Sequence, residues 1–179
     1  MKIRLPLLII TLIASIITVT AVVSAAEEKE KKIVLTEADK KIIATGKVNY
    51  NAYCFVCHGA DGKGTANPAT PGKTMGPALA NSKRVLGDKD IIIRIVMHGV
   101  TGPIDGVDYA PQVMIGAKLL GYDDEKIAGI LSYIRNNKDW KNEAGMISKE
   151  EVAKVRAADK DRATAWTLEE LEKKFPEKK

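Results

Sequence analysis

The sequence predicts an all-α fold, because apolar residues recur at helical spacing and the alternation typical of strands is scarce. Three segments carry the helical pattern, and each follows a side chain suited to cap a helix. The first follows Thr36, the second follows Asp88 and the third follows Asp123. The length of 179 residues is enough for one domain of ordinary size.

The first predicted helix carries an apolar stripe interrupted by a glycine. The members of the stripe recur three and four residues apart: Ile42, Ile43, Gly46, Tyr50, Tyr53 and Cys54. Glycine inside a helix costs about 1 kcal/mol relative to alanine, so we interpret Gly46 as a point where a second helix crosses closely. The helix after Asp123 is the expected partner, with Ile130 and Tyr133 filling the space at the glycine.

The amino-terminal segment has the layout of a secretory signal. A positively charged start precedes an apolar run over residues 5–23, and small residues lie before Glu27. We expect cleavage after Ala25 or Ala26. Because the run is longer than the roughly 7 to 15 residues of a usual signal, residues 1–26 could instead stay as a membrane anchor. Both alternatives place the folded part outside the cytoplasm.

The charge pattern argues against a nucleic-acid-binding protein. The formal net charge is +5, acidic and basic residues are mixed along the chain, and no basic stripe interleaves with aromatic residues. A hydrophobic content of 45% permits a real core, but only 5% of the residues are aromatic. A large flat apolar cofactor would therefore supply contact area that the side chains lack.

The chemically most informative stretch is Cys54-Phe55-Val56-Cys57-His58. Two cysteines three residues apart, followed at once by a histidine, are typical of a c-type haem attachment site. The thiols can add to the two vinyl groups of the porphyrin, and the adjacent imidazole can be held beneath the iron. We therefore predict one covalently attached haem c on Cys54 and Cys57, with His58 as the proximal iron ligand.

Other interpretations of this motif stay open. A structural zinc site needs four ligands, but the chain has two cysteines and two histidines in all, and the second histidine, His98, is distant in sequence. A redox-active cysteine pair would be expected beside a βαβ pattern. A disulfide between Cys54 and Cys57 in an exported interaction module is also possible, but it gives the histidine no role.

Two segments rich in glycine or proline flank the second predicted helix. The first, residues 59–77, is expected to be a loop that wraps an edge of the cofactor. A haem-ligating imidazole needs an acceptor for its other nitrogen, and the rigid loop at Pro77 can position one, with Leu79 packed on the ring. The second segment, residues 101–116, is also expected to be a loop, and we place Tyr109 in the haem pocket.

The sixth iron ligand is expected on a loop that reaches the iron face opposite His58. Met114 lies on a segment without an apolar period, as that role requires, whereas Met97 has the helical spacing of a core residue. His98, at a helix end, indicates a surface or capping histidine rather than a ligand. If Met114 merely packs, the haem would be five-coordinate and open to gas binding or peroxidation; we favour ligation by Met114.

The C-terminal segment, residues 141–179, is expected to form a helical tail. It contains two expected capping boxes, Ser148 with Glu151 and Thr167 with Glu170. Its apolar residues indicate that it lies against the main body, although a role in docking a partner stays open.

These features together resemble class I monohaem c-type cytochromes. The resemblance runs from about residue 39 to residue 140 and rests on CFVCHGADGKG, MGPAL, the loop methionine and EKIAGILSYIRNN. It implies an all-α fold wrapped around one covalent haem, with His58 and Met114 as axial iron ligands. It also implies that the Pro77 carbonyl accepts a hydrogen bond from His58. The family commonly has proline after the ligand methionine, where this chain has Ile115.

The resemblance also implies a division of the chain and a function. Residues 27–35 would be a charged linker and residues 36–140 the cytochrome c domain, followed by the tail. Parts of the sequence are most similar to cytochrome domains found with periplasmic dehydrogenases. The implied function is non-enzymatic: one-electron transfer from an exported dehydrogenase or membrane redox complex to an acceptor such as a terminal oxidase. The implied location is the periplasm or the outer face of the cytoplasmic membrane.

Overall fold

The computed structural model describes residues 33–176. Within that range it contains seven α-helices, one 3-10 helix and one pair of short strands. In chain order they are α1 (Glu37–Tyr53), α2 (Phe55–His58), α3 (Lys83–Leu86), α4 (Lys89–His98), β1 (Gly99–Thr101), β2 (Val113–Ile115), α5 (Asp124–Arg135), the 3-10 helix (Lys138–Trp140), α6 (Lys149–Ala158) and α7 (Leu168–Lys174). The predicted all-α fold is confirmed, with one small β pair in addition.

The predicted signal or anchor, residues 1–26, lies outside the described residues, as does most of the predicted linker. Between residues 33 and 176 no helix is both long enough and apolar enough to cross a bilayer. From Ile33 onward the described chain forms one compact unit, which includes the predicted tail.

The three main helices begin at the side chains that the sequence indicated. The Thr36 hydroxyl accepts a hydrogen bond from the Asp39 N–H, and the Asp39 carboxylate accepts one from the Thr36 N–H, so the two residues form a capping box. Asp88 caps α4 and Asp123 caps α5 in the same way, through a carboxylate that accepts from N–H groups of the first turn. Each such cap contributes about 1 kcal/mol to helix stability.

Helices α1 and α5 cross at a pair of glycines. A Cβ atom added to Gly46 would overlap the backbone carbonyl of Gly129, whereas one added to Gly129 would make an ordinary contact at 3.5 Å with the Cα atom of Gly46. One turn further along α1, Tyr50 is fully buried. Its ring centroid lies 5.4 Å from those of Tyr133 and Trp140. The close crossing of these two helices at Gly46 is confirmed, but the prediction that Ile130 and Tyr133 fill the space there is wrong, because the backbone at Gly129 occupies it.

The core consists of two groups of buried side chains. One joins α4, β1, α5 and the C-terminal segment, and it includes Met97, which is fully buried as predicted. The other surrounds Tyr50 and includes Leu79 at its edge. Ile42 and Tyr53 were expected on the buried face of α1 but are 43% and 55% exposed. That expectation is wrong for them because, within the described residues, α1 packs mainly against α5, which leaves these two side chains uncovered.

The segment 101–116, predicted to be a loop, contains part of a β pair. β1 and β2 are antiparallel, with Val100 opposite Met114. The prediction that Met114 lies on irregular backbone is therefore wrong. Strands of three residues are too short to show a periodic pattern, and the pairing partner lies more than ten residues away along the chain, so local sequence could not indicate it.

The C-terminal helices are capped by hydroxyl side chains, but only one of the two predicted capping boxes forms. Ser148 and Glu151 exchange both hydrogen bonds at the start of α6. At α7 the Thr167 hydroxyl accepts from the Glu170 N–H, but the reciprocal bond is missing. The Glu170 carboxylate instead accepts two hydrogen bonds from Arg162, each 2.7 Å long. The charged guanidinium is a stronger donor than a backbone N–H.

His98 was expected to be a surface or capping histidine, but it is 7% exposed. Its Nε2 atom lies 3.8 Å from a carboxylate oxygen of Asp159. Its ring meets the Trp166 ring edge-on, with centroids 6.4 Å apart. Both partners come from the C-terminal segment, which covers this end of α4.

Candidate haem-binding site

The two cysteines and the histidine lie where α1 passes into the single turn α2. The Cys54 N–H donates to the Tyr50 carbonyl at 2.8 Å, and the His58 N–H donates to the Cys54 carbonyl at 3.0 Å, so the backbone stays helical through the motif. Residues three and four positions apart are neighbours on a helix. Cys57 and His58 therefore share one side of this turn with Cys54. Both thiols are free and half-buried.

The protonation of Cys54 differs from that of an exposed cysteine. Burial raises the pKa of its thiol to about 11, and the nearby Cys57 adds to that rise. The nucleophilic form of cysteine is the thiolate. At neutral pH the folded chain therefore holds Cys54 as a protonated, weakly nucleophilic thiol.

The His58 ring is held by a backbone acceptor. His58 is 8% exposed, and its Nδ1 atom lies 2.9 Å from the carbonyl oxygen of Pro77. Since a carbonyl only accepts, Nδ1 carries the proton in this bond, and the neutral ring keeps its lone pair on Nε2. Burial lowers the pKa of His58, and the Pro77 carbonyl opposes that shift. The result is a neutral imidazole whose second nitrogen can bind iron, which is how metal-ligating histidines are usually oriented.

The loop after His58 is folded back onto the motif by backbone hydrogen bonds. The Gly64 N–H donates to the His58 carbonyl and the Thr65 N–H to the Cys57 carbonyl, both at 2.9 Å. The Tyr50 hydroxyl donates to the Gly59 carbonyl at 2.7 Å, which joins α1 to the first residue of the loop. Gly76 packs against the His58 ring so closely that a Cβ atom there would lie 3.2 Å from His58 Cε1. Loop backbone thus packs against the Nδ1 side of the ring.

Leu79 is tied to the same loop and to the C-terminal segment. Its N–H donates to the Gly62 carbonyl at 2.7 Å, and its carbonyl accepts from the side-chain amide of Asn142 at 3.0 Å. Asn142 is fully buried; it also accepts from the Asn81 N–H at 2.8 Å and donates to the Ile134 carbonyl at 2.8 Å. One side chain from beyond the predicted domain therefore fixes the backbone two to four residues after Pro77.

Met114 and Tyr109 belong to a different part of the structure from the cysteine motif. Met114 lies in the middle of β2 and is half-buried against the edge of the core group formed by α4 and β1. Its neighbours Val113 and Ile115 are 49% and 62% exposed. Tyr109 is half-buried in the connection between β1 and β2. Hydrogen bonds tie Cys54, His58, Pro77 and Leu79 into one loop and turn, whereas Met114 and Tyr109 lie on a separate segment.

The residues fit a covalently attached haem. Two free thiols and a neutral imidazole of fixed tautomer supply the donor set, and a side chain at Gly76 would crowd the imidazole. Large apolar side chains are exposed next to the cysteines and next to Met114: Phe55, Val56, Val113 and Ile115. A flat apolar ring attached to the two cysteines would cover part of the apolar surface beside them, which is favourable.

Three residues that support the site were not indicated by the sequence. Gly129 lies opposite Gly46, and Asn142 anchors the loop at Leu79. Arg135 is 3% exposed and donates to the carbonyls of Val85, Gly87, Ala144 and Gly145. A buried arginine that binds four backbone carbonyls holds the segment before α4 and the start of the tail together. A charged residue on the apolar face predicted for α5 was the only signal for it.

The family model for cytochrome c matches residues 43–138, which include the cysteine motif, the loop after it, β1, β2 and α5. No curated protein matches the chain. The matched range exceeds half of the sequence, and it agrees with the helical fold and with the donor set described above. The chain therefore belongs to the cytochrome c family, and it is a haem-based electron carrier with covalently bound haem c.

Proposed function

We propose that this cytochrome carries single electrons between an exported dehydrogenase or membrane redox complex and a downstream acceptor, with His58 and Met114 as the two axial iron ligands. The observation that carries the proposal is the hydrogen bond from His58 Nδ1 to the Pro77 carbonyl, 2.9 Å long. It orients a neutral imidazole directly beside the two thiols. A histidine with a merely structural role would not need its second nitrogen kept available.

Haem c supplies an iron centre that changes oxidation state by one electron, and its potential depends on the axial ligands. The chain's own residues do the rest. Cys54 and Cys57 would hold the ring and His58 would supply a nitrogen ligand to the iron, while the Pro77 carbonyl holds that imidazole in place. Filling both axial positions with protein side chains excludes oxygen and other small ligands, so electron exchange is the remaining chemistry.

The position of Met114 supports its assignment as the second ligand. It is half-buried between two exposed residues of β2, so its side chain lies on the opposite face of the strand from theirs. Met97 is fully buried in the core group around α4, and we assign it to packing. A thioether ligand raises the reduction potential, as suits transfer toward an oxidising acceptor.

The amino-terminal sequence supports an exported protein. Its charged start, apolar run over residues 5–23 and small residues before Glu27 match a secretory signal or anchor. We infer a location in the periplasm or at the outer face of the cytoplasmic membrane. Redox partners that work in the same compartment, a dehydrogenase or membrane complex on one side and a terminal oxidase on the other, are part of the proposal.

The experiment that tests the ligand assignment compares Met114→Ala with Met75→Ala. Both variants are produced in a host that attaches c-type haem, and their absorption spectra and midpoint potentials are measured. Removal of the thioether at 114 should abolish the iron–thioether absorption band. It should also lower the potential by on the order of 0.1 V, a fraction of the roughly 0.8 V range that axial ligands span.

Met75 serves as the control because it is half-buried in the loop near Pro77, next to Gly76, which packs against the His58 ring. Met75→Ala should keep the band and nearly the wild-type potential. If Met114→Ala leaves both unchanged, Met114 is not the ligand.

A further inference from the structure

The strand β1 has a hydrogen-bonded neighbour on each edge. On one edge Val100 pairs antiparallel with Met114. On the other it forms a parallel bridge with Trp166. The Trp166 N–H donates to the Gly99 carbonyl at 3.0 Å, and the Thr101 N–H donates to the Trp166 carbonyl at 2.8 Å. Val100 therefore lies between Met114 and Trp166 and is paired with both.

The β1–β2 pair needs support from elsewhere, because a two-stranded pair is at best marginally stable alone, and this one has three residues on each strand. The outer strand β2 offers little burial, since Val113 and Ile115 are exposed. The position of Met114 thus depends on how firmly β1 itself is held.

Trp166 is well placed to hold β1. Its side chain is fully buried. The Arg162 guanidinium lies over the ring, 3.1 Å from its centroid, and is itself fixed by two hydrogen bonds to Glu170. The Phe175 ring meets Trp166 edge-on with centroids 5.9 Å apart. Arg162 and Phe175, both from the tail, thus hold the Trp166 ring in place.

Displacement of β1 would be passed directly to β2. A Cβ atom on Gly99 would overlap the Met114 carbonyl, and one on Gly116 would overlap the backbone of His98. The two strands and the end of α4 are therefore in backbone contact with no intervening side chain. Closely packed interiors transmit strain, so a shift of β1 moves the residue at 114.

A second contact ties the tail to α4 just before β1. Arg94 Nε lies 3.0 Å from an Asp159 carboxylate oxygen, and these residues are 4% and 7% exposed. The Arg94 guanidinium also lies over the Phe175 ring, 3.8 Å from its centroid. The C-terminal segment thus contacts α4 at Arg94 and β1 at Val100.

We propose that Trp166, which lies beyond the range matched to cytochrome c, is a positioning residue for Met114: through Val100 it holds the ligand strand at the distance from iron that thioether ligation requires. This proposal rests on the ligation of iron by Met114 proposed above. In this chain the C-terminal segment is then a part of the redox site, and changes there alter how readily the thioether leaves the iron.

The test measures how tightly added imidazole binds to the oxidised haem protein, because imidazole occupies the sixth position only when the thioether has left. The apparent affinity rises in proportion to the open fraction. Trp166→Ala should tighten imidazole binding at least about tenfold over wild type. The control is Val152→Ala, which creates a cavity at a buried residue of α6 outside the bridge to β1, and which should change the affinity by less than about threefold.

A second variant keeps the proposal testable if Trp166→Ala does not accumulate. Arg162→Gln removes the guanidinium over the Trp166 ring from a partly exposed position, and imidazole binding should tighten at least about twofold. Equal shifts in the tryptophan and valine variants, or no shift in any tail variant, would overturn the positioning role.

Met114→Ala separates the two proposals. If that variant binds imidazole much more tightly than wild type while Trp166→Ala behaves as wild type, the ligand assignment stands and the role of Trp166 is rejected. If Met114→Ala binds imidazole no more tightly than wild type, Met114 is not the ligand, and both proposals are rejected together.

Discussion

Gly46 and Gly129 bring α1 and α5 into backbone contact, but they do so unequally. A methyl group added at Gly46 would overlap the Gly129 carbonyl, whereas one added at Gly129 would meet its nearest atom at 3.5 Å. We therefore expect Gly46→Ala to lower the free energy of unfolding by about 1 to 3 kcal/mol, as overpacking does. The measurement is denaturant unfolding of the haem-loaded protein followed by circular dichroism.

Gly129→Ala is the matched control for that prediction. Since alanine is favoured over glycine inside a helix by up to about 1 kcal/mol, this variant should be as stable as wild type or slightly more stable. Similar losses in both variants would show that the crossing has no such asymmetry.

Asn142 holds the backbone that follows Pro77, so its removal should loosen that part of the loop. Asn142→Ala leaves the buried carbonyls of Leu79 and Ile134 without this donor, and each such loss costs about 1 to 3 kcal/mol. We expect an unfolding free energy at least about 2 kcal/mol lower, together with faster amide hydrogen exchange at Leu79 and Asn81. Denaturant unfolding measures the free energy, and hydrogen exchange followed by mass spectrometry or NMR measures the exchange rates at the two amides.

Asn51→Ala provides the comparison for the asparagine prediction. Asn51 is exposed on α1, so its replacement should change neither the exchange rates nor the stability appreciably. Unchanged exchange at Leu79 and Asn81 in Asn142→Ala would contradict the anchoring role of Asn142.

His98 predicts a pH dependence of stability. Burial lowers its pKa below the usual 6.5, the Asp159 carboxylate opposes that shift, and three cations add to it: Lys118, Arg162 and Arg156. Between the lowered value and 6.5 the unfolded chain binds more protons than the folded one. The free energy of unfolding should therefore fall as the pH drops below about 6.5, by at most about 1.4 kcal/mol per pH unit from this group.

His98→Gln removes the titrating group and nearly keeps its size. We compare the free energies of unfolding of wild type and variant by denaturant unfolding from pH 7.5 to pH 5. The value for wild type minus the value for the variant should decrease steadily as the pH falls. A difference that stays constant over this range would show that His98 does not titrate differently in the two states.

The helix starts could be predicted from the sequence because their signals are local. Thr36, Asp88, Asp123 and Ser148 each cap a helix through hydrogen bonds to residues at most three positions ahead. The cysteine motif is local in the same sense. Its three chemical groups come together within one helical turn, so the spacing alone fixes their relative positions.

Features that depend on distant partners could not be predicted in the same way. His98 is buried because Asp159 and Trp166, which are more than sixty residues later in the chain, cover it. Met114 lies in a strand because Val100 pairs with it. The expected hydrogen bond from the Thr167 N–H to the Glu170 carboxylate is absent because Arg162 donates to that carboxylate instead. In each case tertiary contacts decide between local alternatives that the sequence leaves nearly equal.

The covalent attachment of haem to Cys54 and Cys57 is the central claim, and intact mass measurement of the purified protein tests it most directly. The chain is produced in a host that matures c-type cytochromes, and the Cys54→Ser/Cys57→Ser double variant is produced in parallel. We predict that the wild-type chain carries the added mass of one haem and stays coloured through denaturing electrophoresis, while the double variant does neither. A colourless wild-type chain of unmodified mass, with its thiols free or joined to each other, would contradict the account.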